Sequence, residues 1–241
     1  MKIAMWSGPR NLSTAMMYSF GNRPDCAVVD EPFYAAYLHR TGIDHPMRAK
    51  ILASQPTSAD TVAAGLVGPN PAGKDHVYQK HMTQHMVPGV PRGWMRDVVN
   101  VFLIRHPARV IASYAARREN PVLSDIGFVQ QADLFDLVRG WGQSPIVIDS
   151  HDIRENPEAM LRALCVAIDL DFHPAMLDWP RGGHADDGVW ASHWYGAVRD
   201  STGFAGAEGP LPEVPDHLRP VLDAALPYYE KLKAYKRAPW A

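Results

Sequence analysis

Apolar residues fall along this chain in two rhythms. Short runs of strand type occur at Ile3–Trp6, Ala27–Asp30, Val77–Lys80, Asn100–Ile104 and Ile146–Ile148. The fourth is continuous and β-prone, the pattern of a strand buried on both faces. Between them, apolar positions at helical spacing predict helices over Leu12–Phe20, Glu31–His39, Thr61–Val67, Pro107–Arg118, Phe128–Trp141 and Pro157–Ile168. Gln84–Val87 opens a short helix. A last helix, Pro215–Ala234, is expected to break near Pro220 and Pro227. Pro32 and Pro107 sit where proline suits a helix start.

Short buried strands alternating with helices predict an α/β fold. Its three layers are a central, mostly parallel sheet with helices on both faces. Residues 1–241 read as one domain. Residues 41–75 read as an insertion or lid, and 173–214 as a loop-rich segment. In such sheets ligands bind at the carboxyl ends of strands. The loops after Trp6, Asp30, Lys80 and Ile104 all lie at such ends and carry the chain's most chemical side chains.

The first of these loops, Ser7-Gly8-Pro9-Arg10-Asn11-Leu12-Ser13-Thr14, joins a strand to a helix. Unpaired N–H groups and the helix dipole favour an anion there. Arg10 adds a charge, and Ser13 and Thr14 add hydroxyl donors. A Walker A loop would place Gly-Lys where Leu12-Ser13 stands, so no lysine spans β- and γ-phosphates. A second anion site follows the fourth strand. Arg105 ends that strand, and Ser113 lies two turns into the next helix, so a forked guanidinium and a hydroxyl can meet one phosphate.

Composition narrows the picture. Net charge is −2, so any anion site is local rather than a global basic surface, which disfavours nucleic acid as a partner. Cys26 and Cys165 stand in apolar surroundings and read as buried free thiols. No apolar run reaches a membrane span, and the first residues do not read as a signal peptide, so a cytoplasmic location is expected. No metal is expected; a zinc pair at His81 and His85 lacks a third ligand of clear spacing.

The Arg105–x–Pro107–(five residues)–Ser113 pattern resembles the 3′-phosphate motif of the sulfotransferases that use 3′-phosphoadenosine 5′-phosphosulfate (PAPS). Arg10-Asn11-Leu12-Ser13-Thr14 is similar to that family's 5′-phosphosulfate loop, with Asn11-Leu12 in place of Ser-Gly. The order and separation of the two match. Pro145–Pro157 resembles the family's strand-and-turn "Tyr-Glu-Asp-Leu…Asn-Pro", with His151 where an adenine-contacting tyrosine is usual. The resemblance spans roughly Met1–Phe172. It implies a P-loop nucleoside triphosphate hydrolase-like fold of sulfotransferase type. It also implies a sulfuryl transfer from PAPS to a hydroxyl or amine of a small-molecule acceptor. Arg10, Asn11, Leu12, Ser13 and Thr14 would hold the 5′-phosphosulfate, and Arg105 and Ser113 the 3′-phosphate.

For the chemistry, Glu31 stands near the anion loop as a candidate general base. Lys80 and His81 resemble the family's "Lys-x-His-Leu-Pro" segment, which implies lysine on the bridging oxygen and histidine as base. Which of Glu31, His81 or His85 is the base stays open. Trp190 or Trp194 is placed to stack on adenine or line the acceptor pocket. Two alternatives remain at this point: a P-loop phosphotransferase or nucleotide hydrolase with Asp30 on Mg²⁺, and a non-catalytic nucleotide-binding module.

Overall fold

A computed structural model describes residues 1–70, 72–116 and 121–239. Five strands, β1 (Lys2–Ser7), β2 (Cys26–Asp30), β3 (His76–Met82), β4 (Val99–Ile104) and β5 (Ile146–Asp149), form one sheet. Their order is β2-β3-β1-β4-β5, and every pairing is parallel. The helices are α1 (Ser13–Gly21), α2 (Tyr34–Thr41), α3 (Arg48–Ser54), α4 (Ala59–Val67), α5 (Pro107–Ala115), α6 (Leu123–Ile126), α7 (Phe128–Gly140), α8 (Ser150–Glu155), α9 (Pro157–Ala167), α10 (Ala191–Trp194), α11 (Gly196–Arg199) and α12 (Arg219–Lys233).

The strands are buried almost along their whole length because both sheet faces are covered, with polar side chains gathered chiefly in β3 and at the ends of β2 and β5. Ile3 and Met5 point into one layer with α1, α2, α3 and α9, whereas Ala4 and Trp6 point into the other with α4, α5, α7 and α12. Val101 and Leu103 against Phe102 and Ile104 repeat the alternation. The β5 edge is capped by the C-terminal segment, where the Arg237 N–H donates to the Val147 carbonyl at 2.8 Å. Cys26 and Cys165 are free and buried, and burial pushes both thiols up to about 11. No helix among the described residues is long and apolar enough to cross a membrane.

Several elements differ from the sequence expectation. The helix expected from Glu31 begins only at Tyr34. Glu31 instead has φ 41°, and its N–H donates to the Lys80 carbonyl at 2.9 Å, so the strand pairing runs one residue further. Gln84–Val87 is replaced by a 3₁₀ turn at Thr83–His85. The last helix does not break: Pro220 falls in its first turn and the helix continues through Pro227. The end at Arg118 expected for the helix that begins at Pro107 lies outside the described residues. The 41–75 segment folds into α3 and α4, whose Ile51, Val62, Ala63 and Leu66 are buried in the two core layers.

Candidate active site

The chain leaves β1 for α1 while β1 lies between β3 and β4, so the loop after Ser7 opens where the strand order reverses. Gly8 lets this loop approach α6: a Cβ there would sit 2.4 Å from the Ile126 carbonyl oxygen. Arg10 and Leu12 both adopt left-handed backbone, at φ 59° and 61°. Such conformations cost on the order of 1–3 kcal/mol each and persist where surrounding contacts impose them. Asn11 helps impose them, since its buried amide donates to the Leu103 carbonyl at 2.6 Å. Leu12 caps α1 without a side-chain bond to the first turn. The backbone N–H groups at Ser13 and Thr14 precede the first intrahelical bond, Met16 N–H to the Leu12 carbonyl.

The second motif comes to the first. The Arg10 Nε donates to Ser113 Oγ at 3.1 Å, and Arg105 Nη1 donates to the Arg10 carbonyl at 2.6 Å. The loop after β1, the end of β4 and the second turn of α5 thus form one cationic corner. Arg109 and Arg154 join it through Glu208, whose carboxylate also binds Arg105. Arg154 Nη1 lies 2.9 Å from Glu208 Oε1, and Arg109 Nε lies 3.0 Å from Oε2. Burial lowers the Arg105 pKa, opposed by Glu208. Beside this corner is a cleft of about 330 Å³ lined by His106, Arg109, Asp149, His151 and Tyr229 among others.

A second cluster is built where β2 and β3 end. Asp30 and Lys80 face each other in register. The Lys80 ammonium donates to Asp30 Oδ1 at 2.9 Å and Glu31 Oε1 at 2.6 Å, and it also contacts the Tyr195 hydroxyl. Tyr195 in turn lies 2.9 Å from both Asp30 oxygens, and Trp190 Nε1 donates to its hydroxyl at 2.8 Å. The Gly188 N–H donates to Asp30 Oδ2 at 3.0 Å. Burial alone would lower the Lys80 pKa, but the two carboxylates outweigh it and hold the ammonium above the ordinary lysine range. His85 Nε2 lies 3.9 Å from Glu31 Oε2, with its ring stacked on Tyr34 and Tyr37. Burial pushes the His85 pKa well down, so its imidazole is neutral near pH 7.

A family model for the sulfotransferase domain matches residues 1–237. The chain belongs to the sulfotransferase family. Two Arabidopsis thaliana proteins, branched-chain-amino-acid aminotransferase-like proteins 1 and 2, are 33% and 31% identical to it. Those matches cover 97% and 98% of this chain but 42% of each relative. The chain therefore spans less than half the length of these relatives. A solved sulfotransferase from Alicyclobacillus acidocaldarius matches 98% of this chain and 96% of its own, with a TM-score of 0.58 at 12% identity. A likeness at that identity speaks for the sulfotransferase fold.

In this sulfotransferase fold the candidate residues divide. Arg10, Asn11, Leu12, Ser13, Thr14, Arg105 and Ser113 share the corner above β1 and β4, and Glu31 joins Lys80. His81 does not join them, because β3 alternates: Lys80 projects into one layer and His81 into the other. There His81 stacks on Trp6 at 4.4 Å and packs near Phe33 and Trp94. Burial pushes its pKa down to about 3. Trp190, expected on adenine or at the acceptor, is 1% exposed and presents no ring face for stacking. It braces Tyr195 instead. Tyr195 and Glu208 carried no signal in the sequence: one lies among aromatics, the other in a stretch of Gly, Ala and Pro.

Proposed function

We propose that this sulfotransferase moves a sulfuryl group from PAPS to a hydroxyl or amine of a small molecule. The observation that carries this reading is the joining of the two anion motifs through Arg10–Ser113 and Arg105–Arg10. One ligand with phosphates at both ends suits two such motifs held in contact. Buried Arg105 Nε has no hydrogen-bond partner, as expected of a guanidinium shaped for an anion. The absent loop lysine disfavours the phosphotransferase alternative.

PAPS, when bound, supplies the sulfuryl group and leaves as adenosine 3′,5′-bisphosphate. The N–H groups of the loop and of Ser13 and Thr14, with Arg10, would hold its 5′ end. Arg105 and Ser113 would hold the 3′-phosphate, and the cleft beside His106 and His151 the base. Glu31 would accept the acceptor's proton at its carboxylate, and Lys80 would fix that carboxylate in place as a positioning residue. Neutral His85 beside Glu31 would relay the proton outward.

Thermal-shift titration tests the donor class. Adenosine 3′,5′-bisphosphate without metal should stabilise the protein more than ATP with Mg²⁺. Equal or greater stabilisation by ATP with Mg²⁺ would overturn the reading. Release of the bisphosphate from PAPS across a panel of alcohols and amines then tests the acceptor class.

A further inference from the structure

Glu208 is placed unlike anything around it. The residues from Ala205 to Pro210 run along the surface, and all but Glu208 are exposed. No helix or strand is assigned between Phe204 and Pro215. Yet the Glu208 side chain is 1% exposed and meets Arg105, Arg109 and Arg154. The same arginines grip the strap's backbone. Arg109 donates to the Glu208 and Gly209 carbonyls, and Arg154 donates to the Gly206 carbonyl at 2.8 Å. Phe204 packs on Trp179 at one end of the strap, and Val214 is buried at the other. Between those two anchors no apolar side chain is buried, so charge alone seats the strap.

The charges are unequal. Among the described residues, three guanidinium groups meet one carboxylate, an excess of two positive charges at a part-buried site. Glu208 Oε2 touches Arg109 at 3.0 Å, but the geometry is too poor for a hydrogen bond. Arg105 Nε is orphaned as well. A single carboxylate therefore fills this cluster incompletely. A phosphate dianion brings a third oxygen and a second charge, and it satisfies such a cluster better.

We propose that the Glu208 carboxylate is a built-in competitor. It occupies the Arg105–Arg109–Arg154 cluster, and a phosphate binding there expels it and lifts the Ala205–Pro210 strap. Arg109 and Arg154 thereby become phosphate ligands alongside Arg105. The identity of that phosphate as the 3′-phosphate of adenosine 3′,5′-bisphosphate rests on the donor reading above. Affinity falls by the fraction of molecules with the strap open, so removing the competitor raises it.

The test compares wild type with Glu208→Gln, which keeps the shape and loses the charge. Titration calorimetry should show the variant binding adenosine 3′,5′-bisphosphate about tenfold more tightly, as for a strap open in about one molecule in ten. Adenosine 5′-monophosphate should bind both proteins alike. Cleavage of wild type by a glutamate-specific protease supplies a second readout, with the exposed Glu213 as internal reference. Adding the bisphosphate should speed the cut after Glu208 relative to that after Glu213. Tighter binding together with faster cleavage supports the competitor. Unchanged or weaker binding by a folded Glu208→Gln protein overturns it and makes Glu208 a structural tie. If neither protein binds the bisphosphate, the donor reading fails and pyrophosphate becomes the probe. Pyrophosphate that speeds the Glu208 cut sustains the competitor, and one that leaves it unchanged overturns it.

Discussion

Arg10 and Ser113 are 103 positions apart in the chain, yet Arg10 Nε and Ser113 Oγ form a 3.1 Å hydrogen bond. Arg105 closes the same corner by donating to the Arg10 carbonyl. A phosphate gripped by Arg105 is therefore sensed by the loop that would hold the other end of the nucleotide. Arg105→Ala should weaken adenosine 3′,5′-bisphosphate binding roughly 10- to 100-fold, the equivalent of about 1.5–3 kcal/mol for a charged hydrogen bond. Adenosine 5′-monophosphate should lose less. Calorimetric titration of the two ligands against both proteins checks the difference.

Gly8 makes a second prediction about the same loop. Its substitution by alanine drives a Cβ to within 2.4 Å of the Ile126 carbonyl. Both sides of that clash are backbone, so the loop has to move off α6. The cost is about 1–3 kcal/mol, typical of overpacking. A thermal melt should show Tm lower by several degrees, and bisphosphate should restore less of it than in wild type.

The sheet was legible because parallel strands buried on both faces carry continuous apolar runs, as Ile3–Trp6, Val101–Ile104 and Ile146–Ile148 do in β1, β4 and β5. The meeting of Arg10, Arg105 and Ser113 was legible because they are strand-end cations and a helix hydroxyl at fixed spacing. Sequence reasoning failed where direction mattered. Lys80 and His81 are adjacent in the chain and resemble a paired motif, but strand alternation sends them to opposite layers. Pro227 suggested a break that packing of Tyr229 and Leu232 overrides. Glu208 gives no sign in the chain, since three arginines from separate segments define its role.

Lys80 is wholly buried between two carboxylates, so losing it strands their charge. Lys80→Met should destabilise by about 3–5 kcal/mol near pH 7. Burial already holds the Asp30 carboxyl above its ordinary range, and removing the ammonium that opposes this raises it further in the folded state. The folded variant then holds more protons, and its deficit shrinks as pH falls from about 7 towards about 5. Urea melts of both proteins across that range check the sign; a deficit that grows on acidification would refute it.

His81 should govern acid sensitivity rather than turnover. Its pKa lies near 3 when folded and near the ordinary 6.5 when unfolded. Above pH 6.5 both states are neutral and the residue adds no pH dependence. As pH falls from there towards 3, the unfolded chain takes up a proton that the folded protein refuses, and stability drops. His81→Phe suits the ring cluster of Trp6, Phe33 and Trp94 and removes that uptake. The slope of unfolding free energy against pH should fall by about one proton between these limits, with His85 still contributing its own.

Glu31 and Tyr195 separate the base from its support. Glu31→Gln keeps the backbone ladder to Lys80 and leaves Asp30 to pair the ammonium, so the fold should persist. It removes the proposed proton acceptor, so sulfuryl transfer should fall about 10²- to 10⁴-fold, with bisphosphate affinity nearly unchanged because the anion corner is built from other strands. Tyr195→Phe keeps both carboxylates and Lys80 but removes the hydroxyl that touches all three. Glu31 is then less firmly placed, so kcat should fall while KM for the donor holds. The two variants differ in what pH does. Tyr195→Phe retains the proposed base, so its pH–rate profile should keep an acidic limb like that of wild type. Glu31→Gln flattens the acidic limb, because the carboxylate proposed to take the proton is gone and Asp30 stays engaged with Lys80 and Tyr195. Parallel profiles for both variants, each as steep as wild type on the acidic side, would remove Glu31 from the role of base.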